Sequence, residues 1–274
     1  MTSSSIFRDD LLAGTVALIT GGGTGIGRRT AFEMGRLGAR IAIVARRQEP
    51  LDATVAALRD EGIDARCYVC DIRDADAIQQ TVANVIADFG TIDVLFNNAG
   101  GQFFQPSLEL SPNGWRAVVE TNLTGTFLMS QAVAKQAMVP RRSGLIVNMA
   151  INMWRGLPAA AHSSAARAGI VNLTRTLSVE WAAHKIRVNC VAPGSVETEG
   201  LDQYPDSVVR QLRSVIPLKT MGQPEDIAWM ICYLASEAGR WITGETICID
   251  GGSQNWGSMW QIPDDPDEPG GYRS

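Results

Sequence analysis

No stretch of this 274-residue chain approaches the ~20 consecutive apolar residues that a membrane-spanning helix needs. The first ten residues are polar and carry Asp9-Asp10 ahead of any apolar run, which is not the pattern of a secretory signal. A dominant charge is missing too. With 24 basic and 29 acidic residues the formal net charge is −5, so no global field draws the protein to nucleic acid or an anionic membrane. A phosphate-bearing ligand must then be held by local arginines and backbone N–H groups. Cysteine is sparse, at five residues. Cys67 and Cys70 form a Cys-x-x-Cys, but on a strand positions i and i+3 face opposite ways, and no second pair stands at metal spacing. Plain thiols are expected, with no disulfide and no metal site. Internal repeats are absent. These gaps point to a cytoplasmic protein with a small-molecule substrate and no nucleic-acid or membrane partner.

What the chain does contain is alternation. Apolar runs of strand length and helical patterns alternate from residue 15 to 250, which points to a parallel sheet covered on both faces. Strands are expected near 15–20, 40–45, 65–70, 92–96, 144–149, 186–191 and 245–249. Helices are expected near 25–37, 49–61, 74–89, 111–138, 163–183 and 224–235. Short βα turns and right-handed crossovers then give a single-domain α/β fold, a Rossmann-type doubly wound parallel sheet of about seven strands. Residues 194–223 have weak periodicity and follow the sixth strand, where an open sheet binds ligand at its carboxyl edge. A substrate lid is expected there, with a plain excursion as the other reading. From Gln261 to Ser274 the chain is rich in Pro, Asp and Gly and cannot make a core.

The first strand, Val16-Ala17-Leu18-Ile19-Thr20, runs straight into Gly21-Gly22-Gly23-Thr24-Gly25-Ile26-Gly27 and then a helix. Glycines there permit a tight turn and close backbone approach to a pyrophosphate facing the helix N-terminus. Gly21, Gly23, Thr24, Gly25, Ile26 and Gly27 are therefore candidate dinucleotide contacts. At the end of the second strand an NAD enzyme would want Asp or Glu to accept from the ribose 2′-OH. Ala45 stands there, followed by Arg46-Arg47. A guanidinium fork suits a 2′-phosphate, so NADP(H) is the expected cofactor, and a solvated basic turn is the alternative.

The glycine run, the Asn97-Asn98-Ala99-Gly100 turn, Asn122 and the segment Ala165-Ala166-Arg167-Ala168-Gly169-Ile170 resemble the short-chain dehydrogenase/reductase family over residues 14–252. The resemblance implies that Asn98, Ala99 and Gly100 border the cofactor, that Asp71 and Ile72 flank the adenine, and that Thr198, after Pro193-Gly194, meets the carboxamide. It also implies a homotetramer, since the helices near 111–138 and 163–183 pair across two-fold axes in related enzymes. The family's catalytic Tyr-x-x-x-Lys is absent. Ser163 stands at the tyrosine position and Arg167 at the lysine, and the helper serine falls at Ala150 or Ile151.

A serine hydroxyl is far less acidic than a phenol, and an arginine does not deprotonate near neutral pH, although its five donors can still bond ribose hydroxyls. The usual ketone chemistry is therefore in doubt. Hydride addition to the β-carbon of an enoyl thioester needs pre-placed donors for an enolate oxygen rather than a strong acid. Asn122, Ser163 and Arg167 are the candidates, with Tyr204 in the lid as a replacement phenol and His162 as a proton relay. Phe103, Phe104, Met153 and Trp154 are candidates for an acyl pocket, with core packing as the equal alternative, and Arg141, Arg142 and Arg155 for phosphate contacts, with solvated surface charges as the preferred reading. The segments around Gly101-Gln102-Phe103, 114–127 and 162–167 are similar to peroxisomal trans-2-enoyl-CoA reductases. Tyr272-Arg273-Ser274 is no peroxisomal address, so that location is not expected. The expectation is an NADP(H)-dependent reductase of a 2-enoyl thioester, with acyl-CoA as one candidate substrate and the acyl carrier left open. The alternatives are an atypical alcohol/carbonyl oxidoreductase and a catalytically silent NADPH-binding protein.

Overall fold

Seven short runs of mostly apolar residues become the strands, β1 (Val16–Thr20), β2 (Arg40–Ala45), β3 (Ala65–Val69), β4 (Val94–Asn97), β5 (Gly144–Met149), β6 (Ile186–Pro193) and β7 (Thr246–Ile249). In this computed structural model the described residues are 7–152, 154–201, 212 and 214–256. All six pairings are parallel, in the order β3-β2-β1-β4-β5-β6-β7. The expected doubly wound sheet is therefore present. Its order reverses between β1 and β4, which opens a crevice at their carboxyl ends.

Every residue of β1 is buried, because helices cover both sides of the sheet. Ala17 and Ile19 pack with Ile41, Ile43 and Phe96 on one face, while Val16 and Leu18 pack with Ala42, Val44 and Leu95 on the other. This alternation is the two-residue period of a strand read twice. The first face is covered by α1 (Gly25–Arg36), α2 (Gln48–Asp60) and α8 (Pro224–Ala235). The second is covered by α3 (Ala75–Phe89) and the helices that follow β4. Helix α3 has clear punctuation. The Asp74 side chain accepts from the N–H groups of Asp76 and Ala77, and Gly90 ends the helix at φ 85°.

The helix expected at 111–138 is more segmented than periodicity suggested. It runs as α4 (Pro112–Val119), a π turn (Glu120–Thr124), α5 (Gly125–Val133), a second π turn (Ala134–Met138) and α6 (Val139–Arg141). Each π turn lets one extra residue into the helical ladder, a device that recurs at functional sites. Asn122 lies in the first of them. Helix α7 (Ala161–Glu180) begins two residues earlier than expected, so His162 and Ser163 sit inside its first turn.

Among the described residues no helix is long and apolar enough to cross a membrane. All five cysteines are free thiols. Tyr204, Met153 and the tail 261–274 lie outside the described residues, as does most of 202–213.

Candidate active site

The glycine loop closes against the end of β4. At Gly21, with φ +68°, a Cβ would lie 2.7 Å from the Asn98 Nδ2. At Gly27 a Cβ would run into the Gly21 carbonyl, so helix α1 can begin only with glycine there. Asn98 fastens the loop by donating from Nδ2 to the carbonyls of Thr20 and Gly21, at 3.0 and 3.2 Å. Thr20 Oγ1 accepts in turn from the backbone N–H groups of Asn98 and Ala99.

A cavity of about 550 Å³ opens above this joint. One wall is Gly21, Gly23, Thr24, Gly25 and Ile26; Arg46, Arg47 and Pro50 form a second. Asp71, Ile72 and Thr121 form a third, and Asn98, Ala99 and Gly100 a fourth. The cradle fits a dinucleotide on two observations. The glycines leave room that any Cβ would fill, and the N-terminus of α1 already takes an anion. Gly25 N–H donates to Glu199 Oε2 at 3.1 Å, at the place where helix geometry favours a phosphate. Arg46 and Arg47 are exposed and make no hydrogen bond or ion pair among the described residues. Asp71 is held down to about 2 by hydrogen bonds from Arg73, with the Arg46 charge contributing.

A second cavity, of about 500 Å³, shares Ile26, Asn98 and Thr198 with the first. Phe104, Leu157, Leu201, Leu212, Val215 and Ile216 make it apolar, and Pro193 and Gly194 form part of its wall. The described part of segment 194–223 thus borders this cavity. At Gly194 a Cβ would lie 2.8 Å from the Asp250 Cα, so glycine is required where the chain leaves β6. Thr198 borders both cavities.

Asn122, Ser163 and Arg167 line neither cavity. They form the layer beneath the ridge that separates the two. Asn122, fully buried, accepts at Oδ1 from Gly101 N–H at 2.9 Å and donates from Nδ2 to the Gly101 carbonyl at 3.0 Å. Ser163, also fully buried, donates from Oγ to Gln102 Oε1 at 2.7 Å. Arg167 is 6% exposed and donates to the Met149 carbonyl, and its Nε has no partner. A Cβ on Gly100 would collide with the Arg167 guanidinium, which explains the glycine. Three successive ridge residues are therefore supported by three side chains whose types differ from, or survive in, the usual catalytic set.

Other candidates have separate fates. Phe104 lines the apolar cavity, but Phe103 packs edge-on against His162 with ring centroids 4.5 Å apart. His162 is buried, its Nδ1 accepts from Ser163 N–H at 2.7 Å, and it borders neither cavity. Trp154 donates to Cys248 Sγ instead of lining the cavity. Three arginines weighed as phosphate contacts are instead engaged within the protein. Arg141 bonds Thr91 and Asp93, Arg142 the Ala183 carbonyl, and Arg155 the Gln254 carbonyl, all away from the cradle. Sequence reasoning missed Gln102, Thr121 and Glu199 as lining residues. Gln102 follows a glycine turn and Glu199 follows Thr198, so adjacency was the available signal.

Comparison with known proteins bears on this site. The profile of the family described as Enoyl-(Acyl carrier protein) reductase matches residues 21–254. A probable 2,4-dienoyl-CoA reductase [(2E)-enoyl-CoA-producing] of Bacillus subtilis (strain 168) is 37% identical, over 86% of this chain and 94% of its own. A solved citronellol catabolism dehydrogenase of Pseudomonas aeruginosa PAO1 is 40% identical with a TM-score of 0.83, covering 91% of this chain and 99% of that one. An actinorhodin polyketide ketoreductase solved with NADPH is 35% identical with a TM-score of 0.85, covering 88% and 98%.

Proposed function

The chain belongs to the short-chain dehydrogenase/reductase family and is an oxidoreductase, and from that premise we propose that it reduces the C=C bond of a 2-enoyl thioester with NADPH. One observation carries the reading. Among the described residues, no ionisable side chain borders the apolar cavity. A ketone receiving hydride needs a proton on its oxygen as the alkoxide forms, and among the described residues no phenol, imidazole or ammonium borders the cavity to give it. An enoyl thioester needs only fixed dipoles around an enolate oxygen. The similarity to a dienoyl-CoA reductase supports the same choice.

When bound, the nicotinamide cofactor supplies the hydride. The glycine loop, Arg46, Arg47, Asn98 and Thr198 are the residues that would hold it, and Asp71 and Ile72 border the adenine side. The apolar cavity takes the acyl chain and excludes water, which strengthens every dipole inside it. From under the ridge, Arg167 adds a fixed positive charge, Asn122 sets the Gly101 backbone, and Ser163 holds the Gln102 amide. We place the enzyme in the cytoplasm, with acyl-CoA as its small-molecule partner.

NADPH oxidation measured against a panel of enoyl-CoAs, ketones and aldehydes tests the reading. Enoyl thioesters should be consumed at least about 100-fold faster than ketones, the scale on which a positioned general acid contributes. The reverse order identifies a ketoreductase, the reading favoured by the polyketide neighbour. Tight NADPH binding with no turnover of either class identifies a silent binder.

The assembly is expected to be a homotetramer of dihedral symmetry. The outward face of α7 supports this: Ala165, Ala168 and Val179 are small or apolar and exposed, a surface on which a two-fold partner helix can lie close. Sedimentation at micromolar concentration should show about four times the mass of one chain, and a monomer would overturn it.

A further inference from the structure

We propose that Glu199 is a resident anion that holds the pyrophosphate position in the free enzyme and yields it to the dinucleotide by turning to Arg28. The proposal rests on the dinucleotide reading of the glycine-loop cavity and names the residue that competes for its anion position. Gly25 N–H opens α1 and donates to Glu199 Oε2 at 3.1 Å, across 174 positions of chain. An N–H at a helix start takes one strong acceptor, and a second anion brought beside it is repelled. Carboxylate and diphosphate therefore cannot share Gly25. The packing agrees. A Cβ on Gly25 would lie 3.6 Å from Thr198 Cγ2 and 3.8 Å from Glu199 Oε2, so the segment leaving β6 rests directly on the loop.

That segment has a fixed base and a loosely held end. At the base, Glu197 N–H donates to the Gly222 carbonyl at 2.9 Å, and Gly222 N–H to the Ser195 carbonyl at 3.0 Å. The Glu197 carboxylate is engaged beside this bridge, accepting from Gln223 Nε2 at 2.7 Å. Glu199 lies beyond the bridge and is exposed, and among the described residues Gly25 is its one side-chain partner. It begins the 3₁₀ turn Glu199–Leu201, and Leu201 borders the apolar cavity. Turning Glu199 off the loop therefore moves a wall of the acyl cavity. Arrival of the cofactor is tied in this way to the shape of the substrate site.

A place for the displaced carboxylate stands next to it. A third cavity, of about 600 Å³, shares Gly25, Thr198 and Glu199 with the cofactor cavity. Arg28 lines it, one turn along α1 from Gly25. Its guanidinium lies 5.1 Å from the centre of the Phe32 ring and, among the described residues, pairs with no carboxylate. The other arginines of this cavity are committed, Arg29 to Glu33 and Glu225, and Arg36 to Glu33 and Glu61. Arg28 is the cation left there to receive Glu199. A cradle whose anion position is already filled binds the dinucleotide less tightly than an empty one, by the fraction of molecules in which it stands open. The oxidised cofactor leaves by the reverse exchange.

The test is calorimetric titration of the full chain with NADPH and with adenosine 2′-phosphate, which lacks the pyrophosphate and so does not compete with Glu199. Glu199→Ala should bind NADPH about 10-fold more tightly than wild type, the low end for a charged hydrogen bond because the group is exposed. Glu199→Gln keeps the size and removes the charge, so a gain of about 5-fold is expected; it decides the matter where the alanine variant fails to fold. Binding of adenosine 2′-phosphate should be the same throughout. A merely structural residue would not tighten binding when removed. Arg28→Ala should weaken NADPH by up to about 5-fold, the ceiling for an exposed ion pair. That loss should disappear when Arg28→Ala is added to Glu199→Ala, since the carboxylate it served is gone. A loss that persists there would put Arg28 on the diphosphate itself and overturn the exchange. NADPH binding no tighter in either Glu199 variant, with adenosine 2′-phosphate still bound, would overturn the proposal alone. A wild type that binds neither ligand would overturn the dinucleotide reading with it.

Discussion

Arg167→Met is expected to leave the fold at least as stable as wild type while lowering turnover at least about 100-fold. Arg167 is 6% exposed, and among the described residues no carboxylate answers it. Its neighbour Cys190 offers no counter-charge, because burial pushes that thiol up to about 12. Burial likewise pulls the guanidinium down from 12.5 to about 10. At about 1.4 kcal/mol per pH unit, holding this charge costs the fold on the order of 3 kcal/mol at neutral pH. Below about pH 10 both folded and unfolded states carry the proton, so the cost is present in full. Between about 10 and 12.5 the folded state loses it first, and wild-type stability should climb with pH.

Methionine is unbranched and fills much of the same volume without a charge. Replacing a buried ion by a fitting apolar group is commonly neutral or stabilising by ~1–4 kcal/mol. The lost bond to the Met149 carbonyl offsets about 1 kcal/mol of that. The catalytic effect has the opposite sign, since a fixed cation under the ridge stabilises developing negative charge, and one such electrostatic element is worth about 10²–10³ in rate. Denaturant unfolding and single-turnover kinetics on the same variant decide the matter. A large loss of stability would make Arg167 a structural strut, and an unchanged rate would remove it from the mechanism.

The second large effect is on cofactor choice. In Arg46→Asp, the ratio of NADH to NADPH dissociation constants should fall at least about 100-fold. Arg46 directly follows β2 with a guanidinium that makes no hydrogen bond among the described residues, and it borders the cofactor cavity. A charged hydrogen bond to a 2′-phosphate contributes about 1.5–3 kcal/mol, so its loss alone weakens NADPH by roughly 10- to 150-fold. The new carboxylate adds repulsion toward the phosphate and can accept from the 2′-OH of NADH. Arg46 is exposed, so the wild-type preference should shrink as ionic strength rises. Fluorescence titration of both cofactors at low and high salt reads all of this. Equal wild-type affinities would sink the NADP(H) assignment. Arg47, which shares the wall, should shift the ratio less when changed to alanine.

Strand and cradle were readable from the chain because their codes are local. A run such as Val16–Thr20 buried on both faces has to be a central parallel strand, and glycine at 21 and 27 is demanded by contacts within the same turn. The alternation of strands and helices then leaves one sheet order at the crevice. The absence of a phenol and an ammonium at 163 and 167 was equally visible, and with it the doubt about ketone chemistry.

Only the tertiary structure decided which side chains meet. Gln102 and Ser163 are 61 positions apart, and Asn122 reaches back 21 positions to Gly101 through a π turn that no hydrophobic period reports. Apolar spacing reveals which face of a helix is buried, but it is silent on what that face touches. The packing of α7 and the π turn after α4 against the 98–104 ridge set those contacts. It put Asn122, Ser163 and Arg167 under the floor of the site and left the Gln102 amide facing the cavity.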